Sequence, residues 1–257
     1  MPHGVSWFDY IFTAMGEWRT RLQDLIGTSY IDRADISVQY IIGFAFIGVL
    51  LFALVLIARR KFSVARGLIP DDRLNLRTFF EMMIEGAFTT MEGIMGRKAA
   101  RFFLPLITAC LFIIFFSNFL GLIPGFTPPT GNWNTTLAMA LVIFFSTHIW
   151  GVKEHGFIKY FAHWCGPFLK WWALPFMLFF FAIELVSHLA RPVSLSIRLM
   201  GNMFADHAVV ASFTLLCPIL VPVPVLLLGV LVCIVQTAVF CILSTVYIGM
   251  AVAHEEH

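Results

Sequence analysis

Between Glu184 and His207 the chain reads ELVSHLARPVSLSIRLMGNMFADH, a stretch with two arginines, a glutamate, an aspartate and two histidines. On a helix, Glu184, His188 and Arg191 lie four and three apart and share one face, while Ser194, Arg198, Asn202 and Asp206 repeat every four as a second stripe, with His207 beside it. Such a set is suited to moving protons. Histidine exchanges a proton near neutrality, carboxylates respond strongly to desolvation, and a guanidinium keeps its charge in any setting.

The setting is apolar: 60% of the 257 residues are hydrophobic and only 12% charged, where a soluble domain has about one quarter charged. A charge at the centre of a bilayer costs on the order of 3 kcal/mol, so charged residues there face protein or water. Two structural pairings are open, Glu184 with Arg191 and Asp206 with Arg198. The second is the weaker, because eight residues separate its partners by about 12 Å of helix. Arg198 is therefore expected to meet a carboxylate of another chain. Placed mid-path, its fixed charge repels a free proton and attracts a carboxylate that has just lost one, dividing one path into two halves.

The elements that position this stretch follow from runs of about 20 apolar residues, long enough at 1.5 Å per residue to cross a slab of roughly 30 Å. Residues 1–36 read as an N-terminal amphipathic segment with an interfacial helix from Trp7 to Leu25 and no removable signal peptide. Residues 37–61 hold the first span, closed by Arg59, Arg60 and Lys61. Residues 70–101, interrupted by Glu81, Glu85 and Glu92, are predicted to lie along the interface without crossing. Residues 102–152 form a helical hairpin turned at GFTPPTGNWNTT, its return arm read from Leu137 to Gly151, and 170–253 form a second hairpin turned at CPILVPVPV. The arms of that second hairpin would extend about 65 Å and 44 Å, so they are predicted to be antiparallel and strongly tilted.

The predicted fold class is thus an all-α integral membrane protein, one membrane domain of about five embedded helices plus amphipathic interfacial ones. Nine Lys and Arg residues fall between 59 and 101, and Lys153, Lys159 and Lys170 fall on the same side. Only Arg19, Arg21 and Arg33 fall on the other, which predicts the N-terminus outside and the C-terminus in the cytoplasm.

The segments RPVSLSIRLMGNMFADH, GLIPGFTPPT, NTTLAMAL and YIGMAVAHEEH, with Gln236 in the last helix, resemble subunit a of the F-type ATP synthases, the bacterial form especially. The likeness runs from about residue 75 to the end. It implies a stator beside a rotating ring of c subunits, held by b-type peripheral-stalk chains within the whole complex and embedded in lipid. It implies no cofactor, no metal, no nucleic-acid partner and no catalytic site on this chain. The resemblance makes Arg198 the arginine facing the ring carboxylate, with Asn202 and Gln236 polar residues near it. Asp206 and His207 fall toward an outer half-channel, and Glu184, His188 and Ser194 toward an inner one. The bacterial plasma membrane is the implied location. One departure is visible: many relatives carry His or Glu seven residues before the glutamine, where this chain has Gly229, so the outer path is expected to sit on the earlier helix alone.

Two other classes fit the sequence less well. A secondary transporter with an intramembrane arginine for an anionic substrate would show repeated halves, and none is visible. An intramembrane enzyme would need a nucleophile with its base, or a metal set such as HExxH. Cys110, Cys165, Cys217, Cys233 and Cys241 lack CxxC spacing and read as inert thiols. His148, His155 and His163 read as interfacial, the NTT at Asn134 as a chance match, and the closing HEEH as a solvated tail.

Overall fold

The computed structural model describes residues 36–62, 76–123, 126–157, 160, 174–216 and 222–252. The expected interfacial helix from Trp7 to Leu25, the HEEH tail and Cys165 and Cys217 lie outside these residues. Among the described residues five α-helices follow one another: α1 (Ile36–Phe62), α2 (Leu76–Gly121), α3 (Trp133–His155), α4 (Leu174–Leu216) and α5 (Pro222–Val252). All five are long and apolar enough to cross a membrane, and no strand occurs among the described residues.

Where sequence and structure differ, local chemistry explains the difference. Helix α3 starts four residues before the predicted Leu137 because Asn132 caps it, its side-chain oxygen accepting from the Asn134 backbone N–H at 2.9 Å. Helix α5 starts at Pro222, since a proline in the first turn has no N–H to leave unpaired. Pro192 lies within α4, which nonetheless runs as one helix of 43 residues.

Helix α2 is interrupted at Gly96, whose φ of 78° and ψ of 160° suit a residue without a Cβ. The expected interfacial segment behaves differently from its reading. Phe80 meets Phe112 edge-on and stacks on Phe116, with ring centroids 5.0 and 6.3 Å apart, and Phe79 lies 6.1 Å from Phe115. Contacts sixteen residues to either side of Gly96 require the two arms to fold back on each other. The first arm lies alongside the second instead of across the end of the bundle. Its apolar stripe, Phe80, Met83, Ala87 and Met91 at three- and four-residue spacing, explains this; Met83, Ala87 and Met91 pack into the central core.

That core fills the space between α2, α3, α4 and α5 with Ile107, Ile114, Ile143, Leu199, Phe240 and Ile248, each at most 2% exposed. Helices α4 and α5 are antiparallel. Asn202 meets Gln236 and Arg191 meets Tyr247, so eleven steps forward on one helix match eleven back on the other. Helix α5 also runs against α2, with the Cys233 thiol donating to the Phe115 carbonyl of its second arm at 3.6 Å and Gly249 beside Ile94 and Met95 at the end of its first arm. Cys110, Cys233 and Cys241 are buried and unpaired. Buried Thr147, Thr237 and Thr245 each donate to the carbonyl four residues back at 2.8 Å, so their hydroxyls are satisfied within their own helices.

These contacts give the bundle a basic end, with Gly96, Arg97, Lys98 and Lys153, and a loop end, with Gly121, Pro128 and Gly229. At the loop end buried Thr130 donates to Asn118 Oδ1 at 2.7 Å, with both residues 0% exposed. Thr130→Val keeps the shape but removes the donor, and is expected to cost about 1–3 kcal/mol, read as a lower melting temperature of the detergent-solubilised protein.

Candidate functional site

Helix α4 carries the ionisable stretch, and its packing sorts the residues. Pro192, Leu195, Ser196, Leu199 and Met203 are buried, at three- and four-residue steps. Ser196 fixes the rotation of the helix: it accepts from the Trp133 indole N–H at 3.1 Å and donates to the Val193 carbonyl at 3.0 Å. The opposite face, with Leu189, Val193, Ser194, Ile197, Arg198 and Phe204, is exposed. Arg198 is the one charged residue on it, and it forms no ion pair among the described residues. The exposed face of α5, from Val223 through Leu227, Leu231 and Val235, carries no charge.

The four-residue stripe predicted for Ser194, Arg198, Asn202 and Asp206 does not stay on one face. Each step of four overshoots a full turn by about 40°, so Ser194 and Arg198 are exposed while Asn202 and Asp206 turn inward. One turn beyond Arg198, the Asn202 amide donates to Gln236 Oε1 at 2.5 Å, joining the two helices in the middle of the hairpin. Gln236 is 5% exposed.

Toward the loop end are Asp206 and His207. Asp206 Oδ2 is buried and has no hydrogen-bond donor among the described residues. The His207 ring lies against Gly121, where an added Cβ would sit 3.1 Å from Nε2. Gly229 is buried, and a Cβ there would come within 2.7 Å of Leu122. No side chain fits at 229 unless Leu122 moves, which is the physical counterpart of the departure noted in the sequence.

Toward the basic end, Glu184 Oε1 lies 3.1 Å from His188 Nε2. Arg191 does not pair with Glu184 within ion-pair distance; its guanidinium lies over the Tyr247 ring, 5.4 Å from the centroid. A cavity of about 20 Å³ is lined by Thr147, His148, His188, Arg191 and Tyr247 together with apolar neighbours. Ser194, expected alongside Glu184 and His188, does not line it and faces outward beside Arg198.

His148 and Tyr247 are the residues that sequence reasoning missed. His148 was read as interfacial, yet its ring centroid is 5.1 Å from that of His188, and its Nδ1 is 2.9 Å from the Phe144 carbonyl. A signal existed: Thr136, Ala140, Ile143 and Thr147 form the buried stripe of α3, and His148 borders it. Tyr160, just beyond α3, packs its ring 6.0 Å from His148, and burial raises its phenol above the ordinary value.

Three polar layers thus lie along α4: Glu184 and His188, then Arg198 with Asn202 and Gln236, then Asp206 and His207. His188 to Asp206 is about 27 Å of helix, close to the thickness of a bilayer's hydrocarbon.

Residues 41–249 match the family model described as ATP synthase A chain. The chain is 42% identical over 202 residues to ATP synthase subunit a 1 of Syntrophotalea carbinolica, covering 79% of this chain and 80% of that one. It is 47% identical over 173 residues to ATP synthase subunit a of Geobacter sulfurreducens, 67% and 72% of the two chains. With subunit a of Trichlorobacter lovleyi the identity is 42% over 229 residues, 89% and 91% of the two.

Proposed function

The chain belongs to the ATP synthase subunit a family, a multi-pass bacterial membrane protein of the membrane sector, and on that premise we propose that it is the proton-conducting stator. Two aqueous half-channels reach it from opposite sides and end near Arg198, which faces the carboxylates of a rotating c-subunit ring. Asp206 and His207 serve the outer half-channel, Glu184 and His188 the inner one, and Asn202 with Gln236 fix the polar centre between them.

The observation that carries the reading is the position of Arg198. It is the one charged side chain on an exposed, mostly apolar face of α4, which it shares with Ser194, with proton-exchanging groups a few turns away on either side. An exposed guanidinium in a bilayer needs an anionic partner. A ring carboxylate supplies one, and the apolar surroundings weaken the screening between the two charges. The gathering of basic residues at the Gly96 end supports a cytoplasmic position for that end, with the chain entering from outside and finishing inside. Protons then enter from outside, travel on the ring and leave inside during synthesis; hydrolysis reverses the order. B-type stalk chains hold the subunit still against the ring.

The test is a cysteine cross-link in the assembled complex. Ile197→Cys, on the exposed face beside Arg198, is expected to join a cysteine placed one turn from the ring carboxylate. Leu199→Cys, 0% exposed, is expected to give no product. Equal yields from the two, or no product from Ile197→Cys in an assembled complex, would overturn the reading.

A further inference from the structure

We propose that His148, carried by α3, is a proton-relay residue of the path at the basic end, passing protons through the small cavity it shares with His188. The inference rests on the half-channel reading above and adds a member from a helix outside the ionisable stretch.

Hydrogen bonding fixes the roles of the ring nitrogens. A carbonyl can only accept, so His148 Nδ1, 2.9 Å from the Phe144 carbonyl, carries a hydrogen. Nε2 is then the nitrogen with the lone pair in the neutral ring. On His188 the opposite holds. Nε2 lies 3.1 Å from Glu184 Oε1; against an ionised carboxylate it donates, which leaves the lone pair on Nδ1. Two lone-pair nitrogens cannot bond directly to one another, but a proton or a water joins them. The cavity beside both rings, about 20 Å³, is large enough for a water.

The transfer balances without any further reagent. A proton arriving from the ring carboxylate binds His148 Nε2 and forms an imidazolium. It passes through the water to His188 Nδ1, returning His148 to neutrality. His188 then gives its Nε2 proton to the Glu184 carboxylate, which releases it toward the basic end, and exchange of the remaining proton from Nδ1 to Nε2 through water restores the starting tautomer. The groups facing the two rings are Glu184 and Arg191 from α4, Tyr247 from α5 and Tyr160 beyond α3. The fixed charge of Arg191 disfavours two simultaneous imidazolium ions, so the rings carry the proton in turn.

A structural role is the competing account, because the His148 ring also packs on Phe144 at 4.1 Å between centroids. Inside-out membrane vesicles holding the assembled complex separate the two. His148→Phe and His148→Gln both fill the space, and glutamine can still donate to the Phe144 carbonyl; neither moves a proton. Each is expected to slow ATP-driven proton pumping roughly a hundredfold, the low end for loss of a positioned acid–base group. His148→Ala is expected to be slowed likewise and to recover on addition of free imidazole, whereas His148→Phe does not recover. Glu184→Gln is measured alongside. Parental pumping by His148→Phe and His148→Gln, with Glu184→Gln impaired, overturns the relay alone. Parental pumping by all three overturns the inner half-channel reading as well.

Discussion

Arg198→Ala abolishes ATP synthesis driven by a pH gradient across membrane vesicles, while the complex still assembles with its ring. The expectation follows from what a fixed charge does at that position. At 4 Å and an effective dielectric of 20, a guanidinium attracts a carboxylate by about 4 kcal/mol, which is roughly three decades of preference for the ionised form. A ring carboxylate that reaches Arg198 therefore gives up its proton before passing. Without the arginine it passes protonated, in either direction, and the two half-channels join into a leak. Synthesis should fall to about one hundredth or less of the parent, a conservative fraction of that bias. Arg198→Lys is expected to recover little, because an ammonium in apolar surroundings can shed its proton whereas a guanidinium cannot. Normal coupling in Arg198→Ala would remove the basis of the proposed function.

How much of this was legible before any coordinates depends on whether a feature is written in one helix or between helices. The antiparallel pairing of α4 and α5 followed from two long apolar runs joined at the proline-rich CPILVPVPV. Arg198 followed from being a charge that no near neighbour on its own helix could neutralise, and the side chain lies exposed. Ser194 was misgrouped because a four-residue repeat looks constant in sequence yet rotates by about 40° per step on a helix. The first arm of α2 was read as interfacial because three glutamates break its apolar run. Its packing is decided instead by Phe79 and Phe80 finding aromatic partners more than thirty residues later, a pairing that depends on the turn at Gly96. His148 was missed for the same reason. Its partner His188 stands forty residues away on another helix, and no spacing rule within α3 announces a neighbour on α4.

Asp206 and His207 carry the second large effect, and here the outer path should differ from that of relatives with an ionisable residue in the last helix. Asp206→Asn is expected to lower gradient-driven ATP synthesis by roughly a hundredfold, within the usual range for losing an acid–base group, because no side chain at Gly229 can take over. His207→Gln is expected to lower it less, and the double variant no further than Asp206→Asn alone, since residues acting as one unit are not additive. Proton flux unchanged in the double variant would reject this outer path. The geometry at Gly229 sharpens the argument. Leu122 fills the place that a side chain at 229 would need, at 2.7 Å from the position of a Cβ. In an Asp206→Gly background, Gly229→Glu alone should restore part of the synthesis, since the Leu122 methyl can swing aside, and adding Leu122→Ala, which makes more room for the carboxylate, should restore more. If Gly229→Glu restored full activity with Leu122 in place, packing would not be what keeps the outer group on α4.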